Sequence, residues 1–158
     1  MNPFAPDEDV PRPPASLRMP RLIYDQMLAH LRRSIPLEGV GLLAVTVNDQ
    51  NEAQAVHFYP GTNVDASPTR YTMDPEEVLA TFRDIERHGW RLGAIVHSHP
   101  HTPAIPSATD RREAYYPEAL LVIVGIASGE VRGWRIDVTG PARAATLDEV
   151  RLYIEGSV

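Results

Sequence analysis

Two histidines in one apolar, strand-like segment are the first candidates for chemistry. His97 and His99 are two residues apart. Alternate residues of a strand face the same side, so both imidazoles would point to one place while Ser98 turns away. Pro100 ends the strand, and the turn-rich stretch 101–106 reverses the chain. This spacing predicts two nitrogen ligands for a zinc ion.

A carboxylate completes the predicted ligand set. Ser107 is well placed as the N-cap of a helix whose first turn contains Asp110, so this carboxylate can return to the histidines. Two histidines and one carboxylate leave one tetrahedral position for water, as in catalytic zinc sites. Asp110 alone would be better explained as an acid at the positive end of the helix dipole, but the two histidines favour ligation.

Glu38 is the candidate general base. Zinc lowers the pKa of water to about 7 in such sites, but a peptidase also needs a group that takes the proton and returns it to the leaving amine. Glu38 lies between Pro36 and the apolar strand that begins at Val40, so its carboxylate would lie at the mouth of the sheet. Burial there would raise its pKa toward neutrality.

The elements that position these residues follow from hydrophobic periodicity and helix caps. Hairpins mixed with helices predict a mixed sheet rather than a regular series of parallel strands. Val150, Leu152 and Ile154 alternate and favour a last strand, although Thr146 with Glu149 could cap a helix instead. The predicted helices are 20–34, 74–89 and 107–116, and the other predicted strands are 40–47, 53–59, 92–99, 120–127 and 131–138.

Length and composition predict one domain over residues 17–158, preceded by a tail. Residues 1–16 contain five prolines and three acidic residues and few apolar ones, so we expect a flexible segment. This N-terminus does not resemble a secretion signal, so we expect a cytoplasmic protein. No cysteine is present, which excludes disulfides and thiolate zinc ligands.

Charge and hydropathy exclude two classes of partner. The net charge of −6, without a basic run, disfavours nucleic acid. No apolar run approaches the roughly 20 residues of a membrane span, so we expect no membrane partner. Nothing in the sequence indicates an oligomeric state.

The motif resembles the signature of the JAMM (MPN-plus) metallopeptidases. That family has an upstream Glu, then His-x-His-Pro, six residues, Ser, two residues and Asp. This chain has His97-Ser98-His99-Pro100, the six residues 101–106, and Ser107-Ala108-Thr109-Asp110, so the match is complete.

The resemblance extends beyond the motif, from about Leu17 to Val138. Residues 36–43 contain the family's proline, Glu and Gly-Leu-Leu strand, and Asn63-Val64 and Arg70-Tyr71 also resemble it. Val40 departs from the pattern, since many relatives carry Cys or another small residue there.

The resemblance implies an α+β fold of the α/β class, a curved mixed β-sheet flanked by helices and akin to cytidine deaminases. It implies one Zn²⁺ per chain, with Ser107 helping to hold the oxygen of the tetrahedral intermediate. It also implies a deubiquitinase-like hydrolysis of the peptide or isopeptide bond after the C-terminal Gly-Gly of a ubiquitin-like or sulfur-carrier protein. A C-terminal adduct such as cysteine would be released.

Three other functions are weighed against this one. A non-catalytic MPN-type protein-binding module would typically have lost ligands, and this chain keeps them. RadC-type proteins share His-x-His-Pro but lack the Glu-Gly-x-Gly-Leu-Leu strand. Nucleotide deamination is excluded because its zinc site needs cysteines.

The other histidines are not predicted to be ligands. His101 is interpreted as a loop residue near the cleft rather than a fourth ligand, and His30, His57 and His88 as structural residues.

Overall fold

A closed β-barrel forms the framework of the protein. The computed structural model describes residues 12–137 and 146–156, and within them seven strands form the barrel. In chain order the strands are β1 (Ser16–Met19), β2 (Val40–Val47), β3 (Glu52–Gly61), β4 (Arg91–His99), β5 (Leu120–Gly125), β6 (Val131–Asp137) and β7 (Thr146–Ile154). The helices are α1 (Arg21–Arg33), α2 (Pro75–Arg87) and α3 (Ala108–Arg112).

The sheet is mixed, as the sequence predicted. The strands follow one another around the barrel as β1-β3-β2-β4-β5-β6-β7, and β7 pairs with β1. Strand β1 is parallel to both β3 and β7, and β4 is parallel to β5. The remaining pairs are antiparallel. The α+β fold with a curved sheet is confirmed, and the curvature is sufficient to close the sheet.

Strand β1 was not predicted, because it has four residues and its pairing is entirely non-local. It begins at Ser16, which the sequence analysis assigned to the tail, and Ala15 N donates to Asn51 O at 2.8 Å. The predicted tail lies outside the described residues as far as residue 11. Leu17 and Met19 are fully buried, so this strand closes the barrel and contributes to its core.

The first two helices begin and end close to their predicted bounds. Helix α1 buries Ile23, Met27 and Leu31, which lie four residues apart on one face. Helix α2 is capped by Asp74, whose side chain accepts from the N–H groups of the first turn. It ends just before Gly89, which has a positive φ of 68° and so stops the helix.

The later elements differ from prediction at their ends. Helix α3 ends at Arg112 and not at Tyr116, because Pro117 disfavours a helical conformation at the preceding residue and the chain must turn toward β5. Strand β5 ends at Gly125 rather than at 127, and the last residue predicted for β6, 138, lies outside the described residues. The last segment is strand β7, so the alternative of a capped helix is wrong.

No helix in residues 12–137 and 146–156 is long and apolar enough to span a membrane.

Candidate metal centre

The carboxyl end of β4 presents two buried imidazoles to one point. His97 is fully buried and His99 is 5% exposed. Their Nε2 atoms lie 3.1 Å apart. His99 Nδ1 lies 2.8 Å from the Pro103 carbonyl oxygen. That carbonyl needs a donor, so Nδ1 carries the proton and Nε2 of the neutral ring points a lone pair into the cluster.

The first turn of α3 brings a carboxylate oxygen to the same point. Asp110 Oδ2 lies 3.2 Å from His97 Nε2 and 3.1 Å from His99 Nε2. A capping box fixes this carboxylate, because Asp110 Oδ2 accepts from Ser107 N at 2.9 Å and Ser107 Oγ accepts from Asp110 N at 3.0 Å. Ser107 therefore orients the carboxylate through its backbone as well as capping the helix.

A second carboxylate closes the cluster from the start of β2. Glu38 is 1% exposed, and its Oε1 atom lies 3.8 Å from His97 Nε2. Ser98, the residue between the histidines, turns away from them and holds the neighbouring backbone: Gly39 N donates to Ser98 Oγ at 2.8 Å, and Ser98 N donates to Gly39 O at 3.0 Å. This link between the Glu38 segment and β4 was missed by sequence reasoning.

The four side chains form a group that suits a cation. One ligand atom from each of Glu38, His97, His99 and Asp110 lies within 4.8 Å of the others. Glu38 Oε1 is buried and has no hydrogen-bond partner among the described residues. Buried lone pairs that converge without enough donors are costly unless a cation or proton satisfies them. The residues therefore fit a metal ion of the kind held by nitrogen and oxygen ligands.

The two carboxyls have opposite pKa shifts. Burial, reinforced by the nearby Asp110 charge, raises the pKa of Glu38 from 4.5 to about 8, despite the opposing effect of His99. Burial alone would raise the pKa of Asp110, but hydrogen bonds from His97 and His99 outweigh it and lower the pKa well below its usual range. Asp110 is thus an ionised ligand candidate, and Glu38 can hold a proton near neutral pH.

The pKa values of the two imidazoles also shift in opposite directions. Burial lowers the pKa of His97, which favours the neutral ring that binds metals. Burial also opposes protonation of His99, but its contacts with Asp110 and the Pro103 carbonyl raise its pKa overall. These shifts describe the metal-free protein, in which Asp110 is the nearest counter-charge for both rings.

An apolar cavity of about 260 Å³ adjoins Asp110. One wall is formed by residues 71–73 and the other by residues 113–117, and an ion pair between Arg70 and Glu113 at 2.8 Å joins the two sides. Tyr71 lines the cavity and stacks on His97 with ring centroids 4.4 Å apart. No periodicity or cap in the sequence indicates this stacking, and only the family resemblance drew attention to Arg70-Tyr71.

The remaining histidines lie outside the cluster. His101, considered as a possible fourth ligand, is exposed and does not belong to the group. His30 instead shares its Nε2 atom between the carbonyl oxygens of Val40 and Gly61 at 3.0 and 3.1 Å, a structural contact at the start of β2.

Comparisons with known proteins find a matching family and several similar proteins. Residues 20–137 match the family described as prokaryotic homologues of the JAB domain. The chain is 43% identical over 99 residues to a Thermus thermophilus protein described as a "probable TtuB-protein conjugate cleaving protease", covering 62% of this chain and 63% of that relative. It is 34% identical to the CysO-cysteine peptidase of Mycobacterium tuberculosis, covering 83% of this chain and 89% of the relative. A desampylase of Haloferax volcanii is 35% identical, covering 63% and 73%.

Solved structures of similar shape extend the comparison to nearly the whole chain. The solution structure of a Desulfitobacterium hafniense protein superposes with a TM-score of 0.76 at 31% identity, covering 90% of this chain and 94% of the other. A Salinibacter ruber protein gives a TM-score of 0.65 at 25% identity, covering 88% and 92%.

Proposed function

The chain belongs to the prokaryotic homologues of the JAB domain, and from that membership we propose that it is a zinc-dependent peptidase. Its proposed reaction is hydrolysis of the peptide or isopeptide bond after the C-terminal Gly-Gly of a ubiquitin-like or sulfur-carrier protein. The observation that carries the proposal is the convergence of Glu38, His97, His99 and Asp110 in one buried cluster. Relatives named for cleaving TtuB conjugates and CysO-cysteine support this class of substrate.

His97, His99 and Asp110 are the proposed ligands, and zinc is the proposed metal. Two imidazole nitrogens with one carboxylate oxygen are a ligand set of catalytic zinc sites. A zinc ion bound there supplies Lewis-acid chemistry, polarising carbonyl oxygens and making water more acidic. The fixed Nδ1 contact of His99 and the capping box of Asp110 hold two of these ligands in orientation without further movement.

Glu38 is the proposed general base. Burial raises the pKa of its carboxyl to about 8 in the metal-free protein. The positive charge of a bound metal would lower this pKa toward neutrality, so that Glu38 could accept a proton and release it again. In the proposed mechanism Glu38 takes a proton from the attacking water and returns it to the leaving amine. Ser107 Oγ already accepts from Asp110 N, and its own hydroxyl hydrogen is proposed to donate to the carbonyl oxygen as that oxygen becomes negative.

A narrow, flexible peptide is the proposed substrate segment at the buried cluster. A Gly-Gly tail has no side chains and lets the backbone approach the cluster closely. The apolar cavity beside Asp110 provides space for an apolar side chain near the scissile bond.

The proposed location of the protein is the cytoplasm, as expected from the sequence of the N-terminus.

Hydrolysis by the metal-reconstituted protein tests this function. Purified protein is stripped with a chelator, restored with one equivalent of zinc, and incubated with a ubiquitin-like protein that carries an extra residue after Gly-Gly. Mass spectrometry should show the carrier shortened to Gly-Gly by the zinc-restored protein and not by the stripped one. Binding of the carrier without cleavage by the zinc-restored protein would instead indicate an MPN-type binding module.

A further inference from the structure

The side-chain amide of Asn63 is used by hydrogen bonds on both of its ends. Its Nδ2 atom donates to Glu38 O and to Arg70 O, each at 2.9 Å. Its Oδ1 atom accepts from Asp65 N and from Thr72 N, each at 3.1 Å. One side chain thus joins both ends of the segment 62–73 to the backbone of Glu38.

Asparagine is suited to this position by its chemistry. An amide offers two N–H donors and an oxygen with two lone pairs. Here the Glu38 and Arg70 carbonyls lie closest to the donors, with Ser67 O at 3.4 Å, and two backbone N–H groups face the oxygen. Aspartate has the same shape but has no donor when ionised. Asn63→Asp would therefore leave the Glu38 and Arg70 carbonyls facing a negative oxygen.

Glu38 depends on this segment for its own placement. It precedes β2, so it lies outside the strand ladder. Its N–H donates to Ser67 O at 2.9 Å, and its C=O accepts from Asn63, so both of its backbone groups bind the segment 62–73. Glu38 Oε1 lies 3.8 Å from His97 Nε2 and has no hydrogen-bond partner among the described residues, so the backbone contacts of Glu38 help to hold its carboxylate at the cluster.

The same segment also reaches the ligand cluster. Tyr71 stacks on the ring of His97, and it lies between Arg70 and Thr72, whose backbones Asn63 binds. A displacement of the segment would consequently move the support of Glu38 and the ring that packs on His97.

We propose that Asn63 is a positioning residue that fastens the segment 62–73 to Glu38 and so holds the proposed base at the cluster. This inference rests on the proposed function, because the consequence for turnover follows only if Glu38 is the base. The hydrogen-bonding role itself is independent of activity and can be measured without it.

The test compares Asn63→Asp with Asn48→Asp. Asn48 is a matched control: it is exposed in the turn between β2 and β3, and its Oδ1 likewise accepts from two backbone N–H groups, those of Gln50 and Glu52. We expect Asn63→Asp to lower kcat roughly tenfold to a hundredfold with KM and zinc content nearly unchanged, as small misplacements of a catalytic group do. Asn48→Asp should leave all three unchanged.

A double-mutant cycle separates positioning of Glu38 from general damage. In a Glu38→Gln background, Asn63→Asp should cause little further loss of kcat, because the group that it positions no longer acts as a base. An equal loss of kcat in both backgrounds would overturn the proposal. If Asn63→Asp does not fold, Asn63→Ser replaces it, since a hydroxyl keeps an acceptor without adding charge.

Hydrogen exchange decides the structural part even without activity. Amides in residues 37–41 and 63–73 should exchange faster in Asn63→Asp than in wild type, and Asn48→Asp should not change them. If wild type cleaves no Gly-Gly-tailed substrate but this exchange pattern appears, the proposed function fails while the Asn63 link stands. Unchanged exchange at the Glu38 amide would overturn the Asn63 proposal whatever the activity.

Discussion

Glu38 and Asp110 face the same pair of imidazoles but differ in what surrounds them. Asp110 accepts a hydrogen bond from its capping box and contacts both rings, whereas Glu38 Oε1 is buried and has no hydrogen-bond partner among the described residues. A pair of carboxyls with opposed pKa shifts is the usual arrangement where one stays ionised and the other exchanges a proton. Their environments thus support the proposed division between ligand and base.

The raised pKa of Glu38 predicts how the metal-free protein responds to pH. The folded protein holds this proton up to about pH 8, whereas the unfolded chain loses it near pH 4.5. Between these values the unfolded state binds fewer protons, so the free energy of unfolding falls as pH rises. Glu38→Gln removes this loss, so metal-free Glu38→Gln should have a higher Tm than wild type at pH 8 and a nearly equal one near pH 4.5.

Thermal unfolding of chelator-treated protein across this range measures the effect. Glu86→Gln, a substitution at an exposed residue of α2, is the control and should follow wild type at every pH. A Tm difference between wild type and Glu38→Gln that does not depend on pH would contradict the burial of an ionisable Glu38.

Zinc content tests the proposed ligands one at a time. Wild type should contain about one zinc per chain, and His97→Ala or Asp110→Ala should lose most of it, since each removes one of three ligands. The loss should also lower Tm in the presence of zinc, because a ligand bound only to the native state stabilises it.

His101→Ala is the matched control for this measurement. His101 is exposed and lies outside the cluster. Elemental analysis should therefore find the wild-type zinc content in His101→Ala. Full zinc occupancy in Asp110→Ala would remove Asp110 from the ligand set, and zinc loss in His101→Ala would add a fourth protein ligand.

The residues of the cluster could be predicted because local rules place them. Strand alternation aims His97 and His99 at one side, and an N-cap three residues earlier places Asp110 in a first helical turn. The stacking of Tyr71 and the amide contacts of Asn63 depend on the path of an irregular segment, which no periodicity describes.

Helix α2 contributes one residue to the lining of the cavity. Val78 lines the cavity and is half-buried, whereas Leu79, the next residue, is 50% exposed and does not line it. Val78→Trp should fill the space and raise KM about tenfold with kcat little changed, because it removes binding that is equal in the ground and transition states.

Leu79→Trp adds the same indole to the same helix and should leave KM unchanged. Steady-state kinetics with a Gly-Gly-tailed carrier measures both variants. Equal KM values for Val78→Trp and wild type would show that the substrate does not use the cavity.

Element ends were predicted less well than element types. Helix α1 and strand β2 match their predicted bounds because caps, prolines and apolar runs are local signals. The early end of α3 at Arg112 reflects Pro117 and the need to reach β5, and the second of these is set by tertiary structure.

The topology of the whole molecule explains why the cluster assembles. Strands β4 and β5 are parallel, so the chain between them must cross over, and this crossover carries α3 back across the carboxyl end of β4. Strand β2 is the antiparallel neighbour of β4, with Val40 opposite His97, which brings the preceding Glu38 to the same end. The order of the strands therefore brings the proposed base and the proposed ligands to the same end of the barrel.

Barrel closure itself could not be predicted. It depends on β1, a four-residue strand whose two partners, β3 and β7, lie far away in sequence. The sequence predicted a mixed sheet with helices and the family resemblance implied its curvature, but the contact that closes that sheet has no local signal.

The most direct test of the central claim is the cleavage rate of Glu38→Gln, with zinc measured in the same preparation. Glutamine keeps the shape and polarity of the side chain but cannot serve as the base. We predict full zinc content, unchanged or slightly tighter binding of a Gly-Gly-tailed substrate, and a fall in kcat of about a hundredfold or more relative to wild type. Cleavage by Glu38→Gln at the wild-type rate, or loss of its zinc, would contradict the proposed role of Glu38. Absence of cleavage by zinc-loaded wild type would contradict the proposed peptidase activity.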